Sequence, residues 1–512
     1  MLGDRASVAI LELREMSKKP LDEKYRYVSD LQRLDAHQKQ TRLFLSKLFP
    51  FFIALIFLVI VGVYGGLSLE VADENLIMLV SAAIIGGYMA LNIGANDVAN
   101  NMGPAVGGRV LTVMSAVLIA AVCESAGAIL AGGDVVKTVA KGIIRPGDGL
   151  SITDFRNLML CALLAAALWV NLATFLNAPV STTHSIVGGV LGSGIAAAGF
   201  GLVNWLTMSK IAASWVISPV FGGLVAASLL FFIQLKVFNV ADRVKAAKKW
   251  VPILIGLMAG AFAAYMALKG LKKIWKPSSI EIVVYSSLIF LAFWIISVPY
   301  ISKVSSTLTN EKRDINSLFN LPLIAGVALL SFAHGANDVA NAIGPLAAIV
   351  STFSQETVAA KVGIPIWVLV IGAVGLALGL LLFGPKLIHT VGDKITRLNA
   401  PRAYCVALAS AVTVLIATTL GLPVSSTHIA IGAIFGVGFL REVLENPNKR
   451  RLKPGHKLNQ TSADAFSNVN VRLKRKLVRR NFVFSIAAAW VITVPASAFI
   501  AGALFFVLRA VV

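Results

Sequence analysis

Two identical heptapeptides carry most of the chemistry that this sequence can support. "GANDVAN" occupies 94–100 and recurs at 335–341. Each copy closes an apolar run, so its carboxylate is expected at membrane depth, where a charge costs about 2.5–3.5 kcal/mol and needs a compensating partner. Hard oxygen ligands that carry one negative charge suit a small cation such as sodium. Cation sites are therefore expected at Asn96, Asp97, Asn337 and Asp338.

Helix geometry supports this prediction. Asp97 and Asn100 are three residues apart, and Asn96 and Asn100 are four apart, so their side chains lie on one helix face. Pro104 and Pro345, each in a Gly-Pro pair after its motif, favour interrupted helices whose freed carbonyls could complete the set of ligands. In the competing interpretation, the Asn and Asp side chains only join neighbouring helices. The second copy of the motif counts against it.

A second motif is also repeated, as "PVSTTH" at 179–184 and "PVSSTH" at 423–428. Small hydroxyl residues after a proline can open a helix, whose first-turn N–H groups and positive dipole end form an anion site. Neither motif contains Lys or Arg, so hydroxyls and dipoles would hold the anion beside the cation. The alternative is that the hydroxyls bond only to their own helices. The candidate hydroxyl residues are Ser181, Thr182, Thr183, Ser425, Ser426 and Thr427.

Three further ionisable residues lie in apolar surroundings. His184 and His428 end the two hydroxyl motifs, and Glu124 lies inside an apolar span. Each is a candidate for carrying a proton or for gating, and a packing role is the alternative. At the offset of 241 residues that separates the heptapeptides, Pro365 falls opposite Glu124.

The composition requires a membrane to position these motifs. The chain of 512 residues is 57% hydrophobic and 14% charged, with a mean hydropathy of +0.80. Spans in lipid must be helical, and helices break only where they line a cavity, so we predict an all-α integral membrane protein with 12–13 transmembrane segments. The predicted spans are 48–67, 76–93, 110–131, 156–176, 177–199, 211–235, 250–268, 280–301, 319–333, 365–385, 403–420, 422–440 and 482–508.

Charge and cysteine usage exclude several classes of protein. The net charge of +21 comes mostly from Lys and Arg between the apolar segments, where they act as topology signals rather than as a nucleic-acid surface. Cys123, Cys161 and Cys405 lie in apolar segments without CxxC spacing, so neither a disulfide framework nor a zinc site is indicated. The six histidines include no HExxH, which argues against a membrane metalloenzyme.

The repeated motifs and the loop charges predict two inverted repeats. Trp215 and Trp490, in related "WVI" segments, extend the duplication at an offset of 275. The loop 441–480 has 12 Lys/Arg against 3 Asp/Glu, whereas its counterpart at 200–210 has only Lys210, so corresponding loops are expected on opposite sides. The loop 269–276, with four lysines, conflicts with this count. The predicted organisation is a cytoplasmic extension at 1–47, an extra span within 48–75, repeats at 76–235 and 319–512, and linking spans at 236–318.

These motifs, in this order, resemble the inorganic phosphate transporter (PiT) family. The resemblance implies a symporter that imports phosphate across the cytoplasmic membrane by alternating access, without a tightly bound cofactor, and it allows a homodimer. It places Asn96, Asp97, Asn337 and Asp338 at the cation and adds Asn100 and Asn341 to the hydroxyls around phosphate.

The complete heptapeptide in both halves resembles the sodium-coupled branch of that family. A proton-coupled phosphate or metal-phosphate symporter, or a sulfate permease of the same family, is the alternative.

Overall fold

A computed structural model describes residues 48–69, 71–144, 150–176, 178, 180–270, 275–355, 364–392, 398–444 and 480–511. The chain divides into two compact units, Met1–Ile56 and Phe57–Val512, and the helices of the described residues belong to the second unit except for the beginning of Leu48–Leu67. The prediction for 1–47 and nearly all of that for the loop 441–480 fall outside the described residues.

The described part of the second unit is almost entirely helical, as predicted for an all-α membrane protein. The first half of the chain contains α1 (Leu48–Leu67), α2 (Asp73–Gly107), α3 (Val113–Ala131), α4 (Gly133–Lys137), α5 (Ile152–Phe175), α6 (Thr182–Ala198) and α7 (Trp205–Ile233). Then follow α8 (Arg243–Tyr265), α9 (Ser279–Ser305), α10 (Lys312–Ser317), α11 (Asn320–Gln355), α12 (Ile366–Gly392), α13 (Ala400–Thr419), α14 (Ser426–Leu444) and α15 (Arg480–Val511). Among these residues, 12 helices are long and apolar enough to cross a membrane.

The two heptapeptides lie inside unbroken helices, which corrects the predicted interruption. The apolar spans were expected to end at 93 and 333, yet α2 and α11 continue to Gly107 and Gln355 and contain Pro104 and Pro345. Gly94 packs against a neighbouring helix instead of breaking its own. A Cβ at Gly94 would overlap the backbone carbonyl of Leu376 on α12, so this glycine permits close helix packing.

The helices are interrupted instead at the hydroxyl motifs. A non-helical segment separates α5 from α6, which begins only at Thr182, and another separates α13 from α14, which begins at Ser426. We call α5–α6 the first hairpin and α13–α14 the second hairpin. The span predicted at 177–199 is thus a helix of 17 residues that starts inside the protein, where Val180 and Val424 are buried.

Close contacts at glycines repeat between the halves. Gly94 packs on the carbonyl of Leu376, and Gly335, 241 residues later, packs on the carbonyl of Glu124. In the same way, Gly188 on α6 packs on Val494 of α15, while Gly432 on α14 packs on Pro219 of α7. Each half therefore contributes the same two surfaces to the other half, which is the contact pattern of a two-fold relation.

This pattern corrects the counterpart of Glu124. Glu124 and Leu376 occupy matching places against Gly335 and Gly94, so the position equivalent to Glu124 is Leu376 and not Pro365. The sequence offset grows from 241 to 252 between the heptapeptide and the next helix, because the second half has eleven more residues there. A constant offset could not reveal this insertion.

The lysine at the start of the unexpected basic loop has a partner inside the protein. Lys269, which lies shortly after the end of α8, forms an ion pair with Asp134 of α4. This lysine is therefore a structural residue as well as a charge at a helix end, which weakens its use as a topology signal. Lys272 and Lys273 lie outside the described residues.

Candidate functional site

Both inner helices begin at the hydroxyl motifs, as predicted, but each starts with a serine cap whose hydroxyl bonds to its own helix, as in the alternative interpretation. The Ser181 hydroxyl accepts a hydrogen bond from the backbone N–H of His184 at 3.1 Å, and the Ser425 hydroxyl accepts one from that of His428 at 3.3 Å. Both serines are 2% exposed. The first intrahelical bond of α6 runs from the Ser185 N–H to the Ser181 carbonyl, so the preceding N–H groups point towards the tip of the hairpin.

The two hairpin tips meet in the protein interior. The Thr183 hydroxyl donates to the backbone carbonyl of Val424 at 2.9 Å, and the rings of His184 and His428 lie 4.5 Å apart. Two helix N-termini therefore converge, and their positive dipole ends favour an anion near the junction.

The carboxylate of Asp97 binds hydroxyls from both hairpins. Thr182 donates to its Oδ2 at 3.0 Å, Thr427 donates to its Oδ1 at 3.0 Å, and the amide of Asn100 approaches Oδ1 at 3.2 Å. Asp97 is 1% exposed. The carboxylate predicted as a cation ligand thus lies at the same junction as the hydroxyls predicted for the anion.

The carboxylate of Asp338 has fewer hydroxyl partners. Ser426 donates to its Oδ2 at 2.9 Å, and the Nε2 atom of His334 lies 3.1 Å from that oxygen. The other oxygen, Oδ1, has no hydrogen-bond partner among the described residues. Asp338 is as deeply buried as Asp97, so a free carboxylate oxygen here favours a bound cation or water.

Two asparagines connect the long helices to hydroxyls of the opposite hairpin. Asn100 donates to the Thr427 hydroxyl at 2.8 Å, and Asn341 donates to the Thr183 hydroxyl at 3.0 Å and reaches Thr182 at 3.3 Å. The structure therefore brings both residues into the predicted hydroxyl cluster.

The other two asparagines hold the hairpins of their own halves. Asn96 donates to Thr174 at 2.8 Å, and Asn337 donates to Thr418 at 3.0 Å. The Oδ1 atom of Asn337 accepts the N–H of Val424, whereas the Oδ1 atom of Asn96 has no partner among the described residues. Both asparagines thus join helices, as in the competing interpretation, and Asn96 additionally has a free oxygen for a cation.

The rings of His184 and His428 lie against each other where the hairpin tips meet. The ring centroids of His184 and Trp215 are 3.8 Å apart, and the Trp215 indole N–H donates to the carbonyl of Pro423 at 3.1 Å. This arrangement supports a packing role for His184 at the meeting point of the tips.

Glu124 belongs to the site through two residues that the sequence analysis did not select. Its Oε1 lies 3.2 Å from the Nδ1 atom of His334 and accepts the Asn101 amide at 2.7 Å. His334 and Glu124 are fully buried. His334 lies immediately before the second heptapeptide, and Ile93 occupies its place in the first copy, so the difference between the two copies was the available signal.

The assembled site combines buried carboxylates, hydroxyl and amide donors, and two helix N-termini. The carboxylates can hold a cation, and the donors and helix ends can hold an oxyanion such as phosphate, so the two ligands would lie side by side. This is binding chemistry at the centre of a multi-pass membrane protein.

Comparisons with known proteins agree with this chemistry. A family model described as "Phosphate transporter family" matches residues 93–501. A protein of Helicobacter pylori strain J99 named as a phosphate permease is 44% identical over 485 residues, which cover 85% of this chain and 90% of the relative. A similarly named protein of Thermococcus kodakarensis is 35% identical over 437 residues and covers 85% of this chain and 98% of the relative.

A solved structure described as "The sodium-dependent phosphate transporter" is also similar. It is 35% identical to this chain and has a TM-score of 0.74, and the match covers 85% of this chain and 100% of the solved chain. The resemblance found in the motifs is confirmed, and so is the expectation of a transporter rather than an enzyme. This chain belongs to the phosphate transporter family.

Proposed function

We propose that this protein is a symporter that imports inorganic phosphate together with sodium by alternating access. The observation that carries the proposal is that one carboxylate, Asp97, accepts the hydroxyls of Thr182 and Thr427 from two different hairpins. A cation at Asp97 would thereby touch the groups that bind the anion. The name of the similar solved structure, a sodium-dependent phosphate transporter, supports sodium as the coupling ion.

In the proposed binding mode, sodium lies at Asp97 and Asp338 with oxygens of Asn96 and Asn337. Phosphate lies between the hairpin tips, with Asn100 and Asn341 and the six motif hydroxyls as its donors. The helix N-termini lower the energy of the bound anion, and sodium balances its remaining charge.

The hydroxyls provide a physical route for coupling. In the present arrangement, the hydroxyls of Thr182 and Ser426 donate hydrogen bonds to carboxylate oxygens of Asp97 and Asp338. A hydroxyl oxygen has two lone pairs and can coordinate sodium while its proton turns to another acceptor. Sodium binding at the carboxylates would therefore release O–H donors to phosphate, so each ligand would strengthen the binding of the other.

The proposed organisation keeps the inverted repeats at 76–235 and 319–512, joined by 236–318. The reciprocal contacts of Gly188 with Val494 and of Gly432 with Pro219 support a two-fold axis, which the loop charges orient in the membrane plane. We further propose that 1–47 is cytoplasmic, that 48–75 contains an additional span, and that the protein forms a homodimer in the cytoplasmic membrane.

Uptake of radiolabelled phosphate into proteoliposomes tests this function. An inward sodium gradient at equal internal and external pH should drive accumulation, and a proton gradient in choline buffer should not. Accumulation with the proton gradient alone would contradict sodium coupling. Inhibition by unlabelled sulfate as strong as that by unlabelled phosphate would contradict the assigned anion.

A further inference from the structure

A buried histidine faces both carboxylates of the candidate cation site. The Nε2 atom of His334 lies 3.1 Å from Oδ2 of Asp338 and 3.7 Å from Oδ2 of Asp97. One ligand atom from each of the three residues lies within 4.8 Å of the other two, and all three side chains are at most 1% exposed.

These separations suit a single metal ion. Two ligand atoms that are each about 2.1 Å from one first-row divalent ion lie roughly 3–3.5 Å apart in tetrahedral or octahedral geometry. The observed separation of 3.1 Å lies in this range, the separation of 3.7 Å is slightly longer, and the two aspartate oxygens lie within 4.8 Å of each other. Sodium gains little from an imidazole, whereas cobalt, zinc, manganese and nickel accept imidazole nitrogen together with carboxylate oxygen.

The surroundings of His334 match those of a metal-binding histidine. Its other nitrogen, Nδ1, lies 3.2 Å from Oε1 of Glu124, and the Asn101 amide holds that oxygen at 2.7 Å. A carboxylate behind the imidazole typically orients the ring and selects the tautomer whose Nε2 lone pair faces the metal. Thr182 and Ser426 fix the two aspartates in the same way.

Several polar atoms in the cluster lack a well-directed hydrogen bond among the described residues. They are Oδ1 of Asp338, Oε2 of Glu124 and both ring nitrogens of His334. Unsatisfied buried polar atoms are rare in proteins. A cation bound between the Oδ2 atoms of the two aspartates and the Nε2 atom of His334 would give that nitrogen a partner.

The cluster also breaks the two-fold relation of the halves. Ile93 occupies the place of His334 in the first half, while Leu376 and Ala342 occupy the places of Glu124 and Asn101 in the second half. A symmetric pair of sodium sites has no need of this histidine. One imidazole near both carboxylates adds a nitrogen ligand, which suits an ion other than sodium.

We propose that Asp97, His334 and Asp338 bind one first-row divalent cation, with Glu124 as the residue that orients His334. The site shares Asp97 and Asp338 with the proposed sodium site, so the divalent cation and sodium exclude each other. The inference rests on the proposed function only for this competition, and the binding of the metal itself is independent of transport.

Cobalt(II) titration of the purified full-length protein tests the site, with the visible absorption of cobalt as the readout. In sodium-free choline buffer without phosphate, the wild-type protein should bind one cobalt ion with the spectrum of nitrogen and oxygen ligands. His334→Gln should raise the cobalt dissociation constant at least about tenfold and remove the nitrogen contribution, and Glu124→Gln should raise it about 10- to 100-fold. Sodium chloride should raise the wild-type constant relative to choline chloride.

His184→Gln is the matched control, because it alters a buried histidine that packs against Trp215 rather than against the carboxylates. It should leave the cobalt spectrum unchanged. Absence of cobalt binding by the wild-type protein, or equal binding by folded His334→Gln as judged by size-exclusion chromatography, would overturn the inference. Sodium-driven phosphate uptake in the presence of a metal chelator is measured separately, so that failure of the metal site and failure of the proposed symport are distinguishable.

Discussion

Thr427 donates its hydroxyl to Asp97 at 3.0 Å across 330 positions of the sequence. This bond joins the second hairpin to the carboxylate of the first half. The corresponding residue of the first hairpin, Thr183, donates to the carbonyl of Val424 instead of to Asp338. The two carboxylates are therefore inequivalent in this state, although they lie in identical heptapeptides.

Replacing the carboxylates tests their proposed role as sodium ligands. Asp97→Asn and Asp338→Asn keep the side-chain size but remove the charge that attracts the cation. Each should raise the sodium concentration for half-maximal phosphate uptake by about 10- to 100-fold, the range expected when a charged partner worth about 1.5–3 kcal/mol is lost. The measurement is uptake into proteoliposomes over a range of external sodium concentrations.

Asp154→Asn is the matched control, because Asp154 pairs with the exposed Ser151 at the start of α5. Its sodium dependence should equal that of the wild-type protein. Unchanged sodium dependence in both site variants would remove the carboxylates from the cation site.

The different partners of Thr427 and Thr183 lead to different expected phenotypes. Thr427→Val removes a donor to Asp97, so it should raise both the half-saturating sodium concentration and the apparent phosphate constant, each by about 3- to 10-fold. Thr183→Val removes a donor that contacts backbone rather than a carboxylate, so it should raise mainly the phosphate constant. Two-ligand uptake kinetics measure both values.

Thr413→Val serves as the control, since the Thr413 hydroxyl donates to the Ala409 carbonyl of its own helix. Equal sodium constants for Thr427→Val and wild-type protein would contradict the coupling through Asp97.

The sequence predicted most helices and most site residues, because burial in lipid and repeated polar motifs both leave strong signals. It misplaced the ends of α2 and α11, since Gly94 and Pro104 suggest a break when read locally. In α2, Gly94 permits close packing against Leu376 of α12 and does not break the helix, and this contact depends on a residue almost 300 positions away.

His334 was missed for a related reason. The internal repeats mark the residues that the two halves share, whereas His334, Glu124 and Asn101 are each found in only one half. The proximity of His334 and Glu124 follows from the packing of α3 against α11, where Gly335 touches the backbone of Glu124. Residues that break an internal symmetry become visible only when the helices that carry them are placed side by side.

Gly94 and Gly103 both lie in α2, but only Gly94 is in close contact with another helix. A Cβ at Gly94 would overlap the Leu376 backbone, whereas a Cβ at Gly103 would meet nothing within 4 Å. Gly94→Ala should lower stability by about 1–3 kcal/mol through overpacking. Gly103→Ala should leave stability unchanged or raise it by about 0.5–1 kcal/mol, because alanine favours the helix. Thermal unfolding of both variants in detergent measures the difference, and a destabilised Gly103→Ala beside a stable Gly94→Ala would contradict the packing argument.

The ion pair between Asp134 and Lys269 connects the linking segment to the first half, and its strength can be measured with a double-mutant cycle. The two side chains are 29% and 19% exposed, so water screens the pair, and a coupling energy of about 0.2–1 kcal/mol is expected. Asp134→Asn, Lys269→Met and the double variant give this energy from thermal unfolding in detergent. The coupling should fall at high salt, because exposed charges are screened over about one Debye length. If the effects of the single variants simply add, the pair does not stabilise the fold, and Lys269 has to be treated again as a topology signal that conflicts with the proposed inversion.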